Sequence, residues 1–238
     1  MTSVQVLELL EKSSDPMRAE NAAWFFKTGE GQYGYGDQFL GLSVPQTRAV
    51  AKLAKDLSIQ EVALLLQSNW HEARLCAVLI WVYQFSRSDD AGKERIYNAY
   101  LKNKSRVNNW DLVDSSAHKI VGAWTYDKSK DIIFTLAHSS SLWDRRIATL
   151  SCFYGIGRGD PKLALQIAPL LLNDREDLIH KAVGWMLREI GKRCSREALE
   201  TFLDEYYDQL PRTTLRYAIE HFSKEERATY LKGAHRSK

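Results

Sequence analysis

The chain has 238 residues, of which 45% are hydrophobic and 26% charged, the composition of an ordinary globular protein. Its 33 Lys and Arg residues barely exceed its 30 Asp and Glu residues, so any basic surface must come from the placement of the cations. Three cysteines without a CxxC spacing argue against a disulfide framework or a zinc site. Because we expect neither a signal peptide nor a membrane span, secreted, membrane-embedded and disordered classes are set aside.

The chain is predicted to be helical along most of its length. Apolar residues recur at intervals of three and four rather than two, and several prolines stand where a helix can begin. No strand alternation is visible, so the predicted fold class is all-α. In chain order, the predicted helices span residues 2–13, 16–27, 45–56, 58–67, 70–86, 89–103, 108–124, 128–138, 142–155, 161–172, 176–192, 195–209 and 211–232.

The segment 28–42 (TGEGQYGYGDQFLGL) interrupts this helical pattern with five glycines. Aromatic and apolar residues lie between the glycines, which predicts an ordered loop rather than a flexible linker. A phosphate-binding glycine loop is not expected here, because such loops follow a strand and none is predicted before this segment.

Tryptophans open three similar segments and indicate an internal repeat. Trp70 stands in NWHEARLCA, Trp110 in NWDLVDSSA and Trp143 in LWDRRIATL, with spacings of 40 and 33 residues. Periods in this range, each holding two helices, are typical of HEAT-like solenoids. We therefore predict a single HEAT-like repeat domain over residues 1–238, with an irregular helical bundle as the alternative.

Basic or polar residues recur near the start of the second helix of each predicted pair. In a solenoid such positions share one face, and helix N-termini add backbone N–H groups, so this face suits a DNA phosphate backbone. The alternative is a set of surface arginines paired with Asp144, Glu72 or Glu189. The candidate DNA-binding residues at these positions are Arg74, Arg145, Arg146, His180, Lys181, Arg212 and Arg216.

The segment NNWDLVDSSAH at 108–118 carries two carboxylates on one predicted helix. Asp111 falls in the first turn, where a carboxylate is favoured by the helix dipole. Asp114 lies deeper and one turn from Trp110, so it shares a helix face with that indole. A carboxylate there needs a partner, and the structural alternative is a buried Asp satisfied by a neighbouring helix end or by Arg145 or Arg146.

The other tryptophans and the histidines are predicted to have structural roles rather than to form a metal or catalytic site. Trp24, Trp81 and Trp124 are predicted core residues, and Trp185 by itself would also be assigned to the core. No two histidines stand at i, i+4 on a predicted helix, so no metal site or cofactor is expected.

Three motifs resemble the AlkD-like family of HEAT-like-repeat DNA alkylation repair proteins. They are NNWDLVD at 108–114, LWDRRIA at 142–148 and HKAVGWMLREIGK at 180–192, and they occur in the family's order. The resemblance implies a C-shaped stack of helical repeats that binds duplex DNA on a basic concave face. It further implies a bacterial, cytoplasmic and nucleoid-associated monomer, with no membrane contact, no obligate protein partner and no cofactor.

The resemblance also implies a DNA glycosylase, a hydrolase that releases cationic N3- or N7-alkylpurines. Asp114 matches the family's catalytic carboxylate, and Trp110 and Trp185 match its two cleft tryptophans. Arg146 matches an arginine that contacts the DNA backbone, and Phe25 stands near an expected DNA-contacting tyrosine. The alternative is a binder of distorted or branched DNA that cleaves no bond.

The N-terminal region departs from this pattern. The glycine-rich segment 28–42 stands where active members have a more compact helical connection. With Phe25 in place of a tyrosine, the chain resembles a second AlkD-like subfamily with reduced N-terminal helices. This departure concerns how the N-terminal end would bind DNA, because the acid and both tryptophans are present.

Overall fold

The structure, a computed structural model, describes residues 1–233 and confirms the predicted all-α class. Within this range the β structure is confined to one isolated parallel bridge between Gln38 and Trp70. Contacts cluster the chain into two compact units, Met1–Trp124 and Thr125–Lys238. The single domain over 1–238 stays a prediction. No helix in the described part of the chain is long and apolar enough to span a membrane.

The N-terminal unit is built around α5, which is enclosed by α3, α4, α6 and α7. Every residue of α5 from His71 to Trp81 is buried, so this helix forms the centre of the core. A short 3₁₀ turn, Lys104–Arg106, precedes α7. The helices of this unit are α1 (Ser3–Glu11), α2 (Pro16–Phe25), α3 (Val44–Leu53), α4 (Ile59–Leu66), α5 (His71–Phe85), α6 (Asp90–Lys102) and α7 (Trp110–Ala117), and α8 (Ala123–Thr125) ends it.

The core assignment of the tryptophans is confirmed for Trp81 and wrong for Trp24. Trp81 is fully buried, whereas Trp24 is 75% exposed and lies under the ammonium group of Lys27. Trp124 is half-buried and packs on Tyr97 with ring centroids 5.7 Å apart. Trp24 escapes burial because α2 contributes no fully buried residue to the core.

The glycine-rich segment is an ordered loop, as predicted. Its end folds back on the start of α2, where the Asp15 amide donates to the Leu40 carbonyl at 2.8 Å. Gly41 has φ +85°, and a Cβ at this position would lie 2.1 Å from the Asp15 carbonyl oxygen. Only glycine allows this close approach. The adjacent Phe39 is buried, so the loop belongs to the core rather than to a linker.

The C-terminal unit is built around α13, which packs against α10, α11, α14 and α15. Gly184 lets α15 approach closely, since a Cβ there would lie 2.6 Å from both the Thr214 carbonyl oxygen and the Tyr217 Cβ. A 3₁₀ turn, Ala168–Leu171, leads toward α13, and another, Tyr207–Gln209, follows α14. The helices of this unit are α9 (Asp131–Ala137), α10 (Leu142–Ser151), α11 (Phe153–Ile156), α12 (Lys162–Ile167), α13 (Asp177–Arg193), α14 (Arg196–Tyr206), α15 (Arg212–Ala218) and α16 (Lys224–Lys232).

Several predicted helices are divided or change type in the structure, among them those over 211–232 and 108–124. The helix predicted over 211–232 ends at Ala218, and a new helix starts after Ser223, where Ser223 and Glu226 form a capping box. The helix predicted over 108–124 changes to a π-helical turn at His118–Gly122. The first break was visible in the sequence as Ser-x-x-Glu, whereas the π turn has no comparable sequence signal.

Candidate functional site

Helix α7 presents Trp110 and Asp114 on one face of the N-terminal unit. The Asn109 side chain caps the helix by accepting a hydrogen bond from the Trp110 amide at 2.8 Å. Trp110 and Asp114 are one turn apart, and both are half-buried. The carboxylate is therefore not sealed in the core.

The π turn after α7 places a neutral histidine and a lysine four and five positions after Asp114 in the chain. Burial, with help from neighbouring Lys119, lowers the pKa of His118 to about 4, so its ring is neutral at pH 7. This ring hydrogen-bonds the Asp114 backbone carbonyl. Burial lowers the pKa of Lys119 as well, and Arg48 of α3 lowers it further. Lys119 and Arg48 are thus neighbouring cations that sequence reasoning missed, because they come from separate elements.

An aromatic stack supports Trp110. Its indole lies 5.2 Å from the Phe26 ring at 20°, and Phe26 in turn stacks on Phe39 at 5.2 Å. Phe25 meets the same indole edge-on at 5.9 Å and is itself 55% exposed. The predicted site residues Phe25 and Trp110 are therefore in contact, and the glycine-rich loop supplies Phe39 to the stack.

Beside this stack lies a buried histidine between two carboxylates. Nδ1 of His71 is 3.2 Å from Oδ2 of Asp37, and Nε2 is 2.8 Å from Oδ2 of Asp111. The Asn109 side chain also donates to Asp37 at 3.1 Å. Burial alone would lower the pKa of His71, but Asp111 and Asp37 outweigh it and raise the pKa to about 9. The His71 ring also packs on Phe26 and Phe39, each at 4.7 Å.

Arg74 belongs to the same buried group, so the surface position expected for it is wrong. It is 1% exposed, and its Nη2 donates to Oδ1 of Asp37 at 2.6 Å. Its Nη1 donates to the carbonyls of Ser68 and Asn69, six and five residues earlier. Burial lowers the pKa of Arg74, with Asp37 opposing that shift. Arg74 therefore satisfies the carbonyls after α4, a structural role.

In the C-terminal unit Arg145 makes the equivalent hydrogen bonds. Its Nη1 donates to the carbonyls of Ser139 and Ser140, again six and five residues earlier, and its Nε lies 2.5 Å from Oδ2 of Asp174. His180 likewise contacts the carbonyl six residues back, that of Asp174, at 2.7 Å. By these hydrogen bonds, Arg74 of the N-terminal unit corresponds to Arg145 of the C-terminal unit.

The surface position expected for Arg146 is also wrong. Arg146 is 5% exposed, and its Nη1 donates to the Leu178 carbonyl at 2.6 Å. Lys181 is half-buried and pairs with Asp177 at 2.8 Å, whereas Arg212 and Arg216 are exposed. Of the predicted DNA-binding cations of this unit, Arg212 and Arg216 are therefore exposed, and Lys181 is partly accessible.

Trp185 is half-buried on α13, and its ring contacts Phe153 at 5.9 Å. It is therefore not fully enclosed in the core of the C-terminal unit.

The three acids of the surface ion-pair alternative, Glu72, Asp144 and Glu189, differ in their contacts. Glu72 accepts hydrogen bonds from the amides of residues 40, 41 and 42 at 2.8–3.1 Å, and Asp144 accepts one from Ser139. Glu189 pairs with Arg188 and Arg193. Among the described residues, no three His, Cys, Asp or Glu side chains are arranged to hold a metal ion.

Comparisons with known proteins identify the family of this chain. No curated protein matches the chain. A solved structure, a predicted DNA alkylation repair enzyme from Enterococcus faecalis, shares 19% sequence identity and has a TM-score of 0.69, over 89% of this chain and 97% of that one. This likeness supports the helical-repeat fold. A family model described as DNA alkylation repair enzyme matches residues 6–222. The chain therefore belongs to the DNA alkylation repair enzyme family.

Proposed function

We propose that this protein binds duplex DNA and hydrolyses the N-glycosidic bond of cationic N3- or N7-alkylpurines. The observation that carries the proposal is that Trp110 and Asp114, both partly exposed, stand one turn apart on α7, in a chain of the DNA alkylation repair family. A carboxylate on the same helix face as an indole is the arrangement that this chemistry needs.

Asp114 would stabilise the sugar as the glycosidic bond breaks. An N3- or N7-alkylated purine already carries a positive charge, so it leaves without strong protonation by a general acid. The deoxyribose then becomes oxocarbenium-like, as in glycoside hydrolysis generally. A fixed carboxylate stabilises this cation and orients the attacking water.

Trp110 would add to the same electrostatic effect. An indole face attracts a cation through its ring quadrupole, worth ~0.5–2 kcal/mol. Its ring also excludes water, which strengthens the field of a nearby carboxylate. Trp185 of the C-terminal unit matches the second cleft tryptophan of the family, and the same role is proposed for it. Its substitution tests that role separately from Trp110.

Cations at the surface of each unit would bind DNA phosphates. In the N-terminal unit these are Lys119 and Arg48, and exposed Phe25 would contact the DNA beside them. In the C-terminal unit they are Arg212 and Arg216. Such contacts make the affinity fall steeply with salt, by a slope of about −0.9 per phosphate.

The test is base release from methylated duplex DNA by the wild-type protein and Asp114→Asn. We expect the wild type to release 3-methyladenine or 7-methylguanine and leave an abasic site. Asp114→Asn should lower the rate by about 10²-fold or more, with DNA affinity nearly unchanged, because only the charge facing the transition state is lost. Asp56→Asn removes the same charge from an exposed position and should leave the rate unchanged.

Three results would contradict the proposal in distinguishable ways. Base release that Asp114→Asn does not reduce would remove this residue from the reaction. Unfolding of Asp114→Asn would assign it a structural role. DNA binding by the wild type without any base release would instead favour the non-catalytic binder of distorted DNA.

A further inference from the structure

The buried histidine network described above links three separate elements of the N-terminal unit. His71 opens α5, Asp37 comes from the glycine-rich loop, and Asp111 lies in the first turn of α7. The side chains of His71 and Asp37 are 2% and 6% exposed, and that of Asp111 is 12% exposed. The network therefore joins the loop to the helix that carries Trp110 and Asp114.

The hydrogen bonds require a protonated ring. Both nitrogens of His71 face carboxylate oxygens, which can only accept when they are ionised, so both nitrogens must donate. A neutral ring would set a nitrogen lone pair against one carboxylate. With the imidazolium, the two cations His71 and Arg74 balance the two carboxylates Asp37 and Asp111.

Other charged groups near the ring have their own contacts. Glu72, the next residue on α5, accepts three backbone N–H groups of the glycine-rich loop. Arg106 donates to the carbonyls of Gln67 and Ser68, and its charge acts on Arg74. Burial disfavours the protonated ring of His71 most strongly, Asp111 and Asp37 favour it and outweigh burial, and Arg74 also disfavours it.

The same ring contacts the aromatic stack under Trp110. His71 packs on Phe26 and Phe39, and Phe26 stacks on the indole of Trp110. The Asp111 carboxylate also accepts from the Leu112 amide at 2.9 Å, which fixes its orientation in the first turn of α7. His71 is thus linked to Trp110 both through the stack and through α7.

We propose that His71 is a positioning residue, whose imidazolium ties the glycine-rich loop to α7 and so holds Trp110 and Asp114 in their working geometry. The inference rests on the proposed base-release function for its kinetic readout only. It gives the glycine-rich segment a role, since Asp37 and Phe39 of that segment complete the support of the site.

Loss of the ring's proton should weaken this support at alkaline pH. The pKa of His71 is about 9 in the folded chain and about 6.5 in an unfolded one. Because the folded value is the higher, the stabilisation is complete below about pH 6.5 and is lost as the pH rises through about 9. We expect base release by the wild type to fall over the upper part of that window.

Asp111→Asn is the decisive variant. Asparagine keeps the shape and can still accept from His71, but it removes one of the charges that keep the ring protonated. The alkaline limb of the rate profile should therefore move to lower pH by about 1–3 units. A purely structural role for His71 would alter stability but not the position of this limb. His138→Gln, at an exposed histidine, should leave the profile unchanged.

A second readout does not depend on catalysis. In NMR titrations of the free protein, the indole N–H signal of Trp110 should shift with the same midpoint as the His71 ring, while that of Trp81 stays fixed. An unmoved Trp110 signal, or an unmoved rate limb in Asp111→Asn, would overturn the inference. If the wild type releases no base, the proposed function fails, and the NMR titration still decides the role of His71.

Discussion

The two units use the same hydrogen bonds at Arg74 and Arg145 but in different surroundings. Each arginine donates to the carbonyls six and five residues before it and pairs with a carboxylate from another segment. The side chain of Arg74 is 1% exposed, whereas that of Arg145 is 15% exposed. In the N-terminal unit alone, among the described residues, a histidine bridge extends this pair toward α7.

This comparison separates what the repeat requires from what has been added to it. An arginine near the start of a helix donates to unpaired backbone carbonyls of the segment just before that helix. This requirement recurs in both units. The histidine, the second carboxylate and the aromatic stack are additions. They lie next to Trp110, the residue that the proposed chemistry uses.

Substitution of the two equivalent arginines, Arg74 and Arg145, should give the largest change in the free energy of unfolding. Arg74→Ala should lower the free energy of unfolding by about 3–5 kcal/mol, because it leaves buried charge uncompensated and a cavity that water cannot enter freely. Arg145→Ala should cost less, about 2 kcal/mol, because water can reach its position and replace part of the lost contacts. Urea unfolding measures both. Equal losses would show that the difference in burial has no energetic consequence.

The C-terminal unit joins its central helix to α15 by close packing at Gly184, beside hydrogen bonds from Thr213 to Asp177 and from Thr214 to the His180 carbonyl. Gly184→Ala would place a methyl group 2.6 Å from the Thr214 carbonyl oxygen, so we expect a loss of about 1–3 kcal/mol. Gly157→Ala is the matched control in the same unit, since its nearest contact would be 3.4 Å. Thermal unfolding of the two variants checks this, and similar stability would mean that α15 shifts without cost.

The smallest predicted effect is on the salt dependence of DNA affinity, after substitution of cations that would contact DNA phosphates. Lys119→Gln and Arg48→Gln should each reduce the salt dependence of DNA affinity by about one unit of slope, with little change in stability. Arg196→Gln is the control from the C-terminal unit, because Glu200 and Glu226 already pair with Arg196. Titrations at several salt concentrations measure the slope. A loss at Arg196 as large as that at Lys119 would contradict this assignment.

Periodicity predicted most of the helices, because a helix buries a stripe of residues that recurs every three to four positions. It failed where the helix type changes without a break in the chain, as at His118–Gly122, and where a capping box divides two helices, as at Ser223. The face shared by Trp110 and Asp114 followed from their spacing alone. The exposure of Trp24 did not, since burial depends on what packs against α2.

The arginines show that sequence spacing does not predict which charged side chains are buried. Spacing placed Arg74 and Arg146 on a surface, but the structure buries both, because carbonyls and carboxylates from other segments surround their charges. Lys119 and Arg48 are neighbours although 71 positions separate them, and no local sequence pattern predicts such a pair.

The sequence by itself determined the helical class, the ordered glycine-rich loop and the carboxylate that shares a helix face with an indole. These are local properties, set by backbone preference and by the period of apolar residues. Tertiary structure decided which charges are buried, and it placed His71 between Asp37 and Asp111. That placement depends on contacts between residues 34 and 40 positions apart, which only the packing of the loop and α7 around α5 brings together.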